Sequence, residues 1–168
     1  MSKQVSKEMI ATIETDLSNI LSKENLTQAM DFITYMVELG IAPEKMEHPY
    51  HYIFRHKDVF VCLVVCWKDD NGDNLMFCCW PGDLDVSEDD KFTVSEKCKE
   101  FARANVKKCF KCGGCETEPS VRMVFGEKYD NVCCNIFHFW KPDREAIENV
   151  KMLMDLLKHI IDDKQCSE

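Results

Sequence analysis

Cys109, Cys112 and Cys115 stand at three-residue intervals in the run Lys108-Cys109-Phe110-Lys111-Cys112-Gly113-Gly114-Cys115. Two overlapping C-x-x-C units in so short a stretch let neighbouring thiolates converge on one ion. A structural zinc takes four such ligands in a tetrahedron. Three are local, so the fourth must come from elsewhere. The Cys133-Cys134 pair follows at a distance resembling the gap between the halves of a zinc ribbon. A ribbon would close with a second C-x-x-C, and an adjacent pair does not. Strand alternation predicts that these two side chains point to opposite faces, so only one binds. The predicted ligand set is Cys109, Cys112, Cys115 and Cys133, with Cys134 as the other candidate for the fourth place. His138 lies further along the same strand.

Two other chemistries share these residues. C-x-x-C-x-x-C opens the bacterial ferredoxin pattern, but the next cysteine of that pattern falls where this chain has Pro119, so an iron–sulfur cluster ranks below zinc. Cys112 and Cys115 could instead act as a reversible thiol pair or redox sensor. A thioredoxin-type C-x-x-C opens a helix, whose N-terminal field lowers the thiol pKa. This motif follows a helix and precedes a strand, which is the reverse order. The plainest reading is three reduced cysteines in a loop.

Nothing else in the chain names a reaction. His48, His51 and His56 cluster near a strand, where histidine is usually a half-buried structural residue. Asp83, Asp85, Glu88, Asp89 and Asp90 lack the spacing of a calcium loop and read as solvated. No nucleophile elbow, phosphate-binding loop or H-E-x-x-H motif occurs. Tyr50, Tyr52, Trp67, Trp80, Phe137 and Trp140 could line a pocket, but they read more readily as ordinary sheet core.

The composition bounds the answer further. The chain has 168 residues, 45% of them hydrophobic and 30% charged, which suits a single folded domain over 1–168. Residues 1–24 read as its first helix or as a helical appendage. A net charge of −9 repels phosphate backbones and argues against nucleic acid as a partner. No apolar run is long enough to span a bilayer, and the first residues show no secretory core, so a cytoplasmic setting without membrane contact is expected. Eleven cysteines is an odd number, and Cys62, Cys66, Cys78, Cys79, Cys133 and Cys134 sit inside apolar runs. These read as reduced small hydrophobes rather than a disulfide framework.

The elements that must position the cysteines follow from periodicity. Val5, Met9, Ile13, Leu17, Ile20 and Leu21 mark one helix, and Leu26, Met30, Ile33 and Val37 a second that stops at Gly40. Strands are predicted at 50–55, 59–67 and 75–80, joined by a tight turn at Lys57-Asp58 and a hairpin signal at Asp70-Asn71-Gly72-Asp73, where Asn-Gly supplies positive φ. Thr93 and Glu96 match a capping box opening a third helix, with Val94, Cys98, Phe101 and Val106 inward. Strands at 121–125 and 132–140 flank a turn over 126–131. Pro142-Asp143 opens a last helix with the stripe Ile147, Val150, Met154, Leu157 and Ile161. The predicted fold is α+β: an antiparallel sheet of about five strands with two N-terminal helices, a middle helix and a C-terminal helix packed on it. The central strands are apolar on both faces, which predicts cover on both sides or a cavity.

The stretch from Asn105 through Cys115, with Phe125-Gly126 and Asp130-Asn131-Val132-Cys133, resembles a group of small cysteine-containing proteins of anaerobic Gram-positive bacteria. That group has no assigned function, so the resemblance implies only a reduced setting and the treatment of 109–133 as one unit. The functional expectation is a non-enzymatic module holding a structural metal and binding a small molecule or protein partner.

Overall fold

Helix-period sequence gives way to strand-period sequence at Gly40, and the backbone shows why. Helix α1 spans Lys3–Ser18 and α2 spans Lys23–Glu38. The Ser22 hydroxyl caps α2 by accepting from the Asn25 N–H. At the other end Gly40 adopts φ +83°, its N–H donates to Val37 O, and Ile41 N–H donates to Met36 O. This is the Schellman closure, in which a left-handed residue satisfies the last carbonyls and turns the chain out of the helix. The computed structural model describes residues 3–81, 84–88, 92–110 and 118–165.

Among the described residues seven strands follow: β1 Pro43–Lys45, β2 His51–His56, β3 Val59–Asp69, β4 Gly72–Pro81, β5 Val106–Lys108, β6 Ser120–Val124 and β7 Glu127–Trp140. Helix α3, Glu96–Ala104, lies between β4 and β5, and α4, Arg144–Gln165, ends the chain. The strands form one antiparallel sheet in the order β1-β2-β3-β4-β7-β5, with β6 also paired to β7. The α+β class, the antiparallel sheet and the helix placement are as the sequence predicts. The sheet gains β1 and β5, two three-residue strands too short to show a period.

The helices cover one face. Cys62, Val64 and Cys66 of β3, Leu75, Phe77 and Cys79 of β4, and Phe137 and Phe139 of β7 are fully or almost fully buried beneath them. From α2 come Ala29, Phe32, Ile33, Met36 and Val37. The fully buried stripe is thus displaced from the predicted one, and Leu26 and Met30 pack at its margin. Phe32 stacks on Phe77 with ring centroids 4.4 Å apart. Ile13, Leu17 and Leu21 belong to the same core. The pairs Asp31–Lys151 and Tyr35–Asp155 advance along α2 and α4 in step, so the two helices run in the same direction.

The opposite face is closed over at one end only: Val61 of β3 and Cys78 of β4 are buried there, and burial falls away toward the other end. Leu63, Val65 and Trp67 of β3 and Met76 of β4 are only half-buried, and Trp140 is 57% exposed. Trp67 and Trp140 shield each other edge to face at 4.8 Å.

Two local expectations change. Helix α3 starts later than the Thr93–Glu96 capping box implies: Ser95 is the N-cap, accepting from Cys98 N–H at 3.2 Å, while Glu88 takes the Val94 N–H at 2.6 Å. Cys98 and Ala102 are its buried residues, and Val106 has already passed into β5. The second hairpin turns at Phe125-Gly126, both at positive φ, so 127–131 is strand rather than loop.

Candidate functional site

Strand β7 carries the site, because its neighbours change along its length. Residues 127–132 pair with β6, and residues 135–140 pair with β4 along the same edge. On the other edge Lys108 of β5 stands opposite Val132 and Val106 opposite Phe137, with a register shift between them. More of β7 than of β5 lies between those two pairings, so the chain from Cys133 to Ile136 bulges out of regular alternation.

That bulge overturns the expectation for the adjacent cysteines. The Cys133 and Cys134 sulfurs lie 3.9 Å apart instead of on opposite faces. Cys133 is 6% exposed, and Cys134 is half-buried. Both thiols are presented together.

Cys109 is fixed to the same part of β7. Its N–H donates to Asn131 O at 2.8 Å, and the Asn131 side-chain amide donates back to Cys109 O at 2.9 Å. Asn131 holds this position at φ +60°, a conformation its short polar side chain tolerates. The residue that opens the cysteine motif therefore sits one rung from the bulge that carries Cys133 and Cys134. Cys112 and Cys115 lie outside the described residues. Among the described residues no three His, Cys, Asp or Glu side chains group closely enough to hold a metal. The structure thus bonds the Cys109 backbone to Asn131, two residues before Cys133, and sets the two candidates for the fourth place, Cys133 and Cys134, side by side.

Cys78 and His138 border this region, directly opposite each other on β4 and β7. Burial pushes the Cys78 thiol up to about 12, helped by Cys79, Cys133 and Cys134 and opposed by Lys107. Burial, with Lys107 nearby, pushes His138 down to about 4, so its ring is neutral at pH 7. Its Nε2 is buried without a hydrogen-bond partner among the described residues. The sequence offered no way to find Cys78 as a neighbour, since only the β4–β7 register brings it there.

The remaining candidates resolve into structural contacts. His48 and His51 stack at 4.0 Å. His56 Nε2 meets Asp162 at 2.7 Å and ties the β2–β3 turn to α4. Asp85 accepts from Met123 N–H, and Glu88 binds Lys99 at 2.7 Å, so these two acidic residues anchor their loop to β6 and α3. Asp83, Asp89 and Asp90 lie outside the described residues. Tyr52, Trp80 and Phe137 are core. A cleft of about 720 Å³ near the starts of α2 and α4 is lined by Lys23, Arg144 and Glu24 among others. At those helix starts Asp73 accepts the Ser22 N–H and Asp143 accepts the Ala146 N–H.

No known family, no curated protein and no solved structure matches this chain.

Proposed function

We propose that this chain is a non-enzymatic α+β module in which Cys109, Cys112, Cys115 and Cys133 hold one structural zinc ion, with Cys134 able to take the fourth place. The supporting observation is the Cys109–Asn131 backbone pairing, which anchors the first cysteine of the motif to the strand that carries a pair of thiols 3.9 Å apart. Zinc–sulfur bonds of about 2.3 Å at tetrahedral angles place neighbouring sulfurs about 3.8 Å apart. Cys133 and Cys134, 3.9 Å apart, are close enough for either to fill the one remaining corner. A zinc ion here would crosslink the loop between β5 and β6 to the middle of β7.

The module fits a reducing cytoplasm, where such thiols stay available for metal. A protein partner suits it better than a small molecule: Phe110, Val121, Met123 and Trp140 expose apolar area. The net charge of −9 disfavours nucleic acid, and no described helix is long and apolar enough to cross a membrane.

Zinc K-edge absorption on the purified, reduced protein tests the reading. A shell of four sulfurs at about 2.3 Å is expected. A shell of oxygen and nitrogen would overturn it, and an iron edge in place of zinc would move the assignment to a cluster.

A further inference from the structure

Cys62 and Cys79 form a second thiol pair, separate from the proposed zinc site. They are Cα partners in the antiparallel register of β3 and β4, at the centre of the sheet. Their sulfurs lie 2.9 Å apart, and both side chains are fully buried. Directly opposed antiparallel residues have Cα atoms roughly 4.5–5.5 Å apart. That lies inside the roughly 4.4–6.8 Å window that a disulfide bridges without moving the backbone. The other core cysteines lack this arrangement. Cys66 faces Leu75, Cys78 lies between Leu63 and His138, and the Cys98 thiol donates to Asn149 O at 3.6 Å.

We propose that Cys62 and Cys79 are a redox-modification site, closing to a cross-strand disulfide when the protein meets a two-electron thiol oxidant of the azodicarboxamide or low-molecular-weight disulfide class. With the azo reagent, the sulfur of one cysteine adds to one nitrogen of the N=N bond. The second sulfur then attacks the first, forming S–S and breaking S–N. Two electrons and two protons end on the nitrogens as the hydrazine. The product pins β3 to β4 beneath the helical layer. Burial pushes both thiols up from their ordinary range, so the reaction waits on opening of the sheet and runs slowly. It needs no metal and stands whether or not the zinc reading does.

The test is oxidation of the folded, full-length protein with diamide, followed by acid quench, alkylation of remaining thiols in denaturant and non-reducing peptide mapping. A peptide pair joined through Cys62 and Cys79, two mass units below the reduced sum and assigned by fragmentation, is the expected product. The crosslink should persist in the Cys66→Ala/Cys78→Ala variant, and the thermal midpoint of the wild type should rise by about 5 °C. Recovery of Cys62 and Cys79 as alkylated thiols after exhaustive native oxidation would overturn the proposal. So would a crosslink that forms only in denaturant. Metal content measured on the same samples keeps this outcome separate from the zinc reading.

Discussion

Cys133 and Cys134 are consecutive in a strand, yet their sulfurs lie only 3.9 Å apart. The cause is the handover of β7 from β6 to β4, which interrupts alternation at the Cys133–Ile136 bulge. A regular strand would present one of these thiols to each face and leave a single candidate ligand. The bulge presents both, so either can supply the one remaining ligand. Single replacements should therefore be unequal to the double one. Cys133→Ser or Cys134→Ser should each retain part of the bound zinc under a competing chelator, whereas the double variant should lose it. Equal loss in one single variant and none in the other would assign the fourth ligand outright.

The unequal cover of the two sheet faces has a mutational signature. Phe77 is fully buried and stacks on Phe32. Phe77→Ala should cost about 3–5 kcal/mol in urea denaturation, the range for deleting a buried aromatic ring. Met76, its neighbour in sequence, faces the other way and is half-buried. Met76→Ala should cost less than half as much. Equal costs would mean that the outer face is as well covered as the inner one.

Acid should weaken the fold in two stages. His138 sits at about 4, below the ordinary histidine value near 6.5. A group depressed in the folded state contributes stability above its unfolded pKa and loses it as the pH falls, so the first loss runs from about pH 6.5 to 4. Asp73 supplies the second. Burial would raise its carboxyl, but bonds from the Ser22 N–H and the Asn25 amide, both at 2.7 Å, outweigh this and hold it at about 2. Its contribution is present above about pH 4 and fades toward pH 2. Asp73→Asn should cost about 1 kcal/mol at pH 7 and flatten the lower stage, as read by urea midpoints across pH.

The β2–β3 turn offers a stabilising change. Lys57 and Asp58 both hold positive φ, at 49° and 65°, as a two-residue hairpin of the primed type requires. Neither is glycine, so each strains its Cβ. Asp58→Gly should raise stability by about 0.5–1 kcal/mol, or a few degrees in thermal midpoint. A fall would show that the Asp58 side chain makes a compensating contact.

Much of the frame was legible because its determinants are local. Lys57-Asp58 and the Asp70-Asn71-Gly72-Asp73 run each marked a hairpin, although the Asp69–Gly72 pairing puts the second turn at Asp70-Asn71 with the positive φ on Gly72 alone, and Gly40 marked the end of α2. Strand β5 was not legible, since Val106-Lys107-Lys108 continues directly from a helix and only pairing with β7 makes it a strand. The helix start at Ser95 was hidden by a competing Thr93–Glu96 match, which lost because Glu88 captures the Val94 N–H from outside the local sequence. At the candidate site the motif itself was visible. The presentation of Cys134 beside Cys133 was not, because alternation fails only where three other strands impose different registers on β7.

Native mass spectrometry of reduced, anaerobically purified protein, paired with elemental analysis, tests the proposed zinc site most directly. The expected result is one zinc ion per chain, diminished in Cys109→Ser and restored to none by chelation under denaturing conditions. A folded wild-type protein carrying no metal, at the mass of its fully reduced chain, would contradict it.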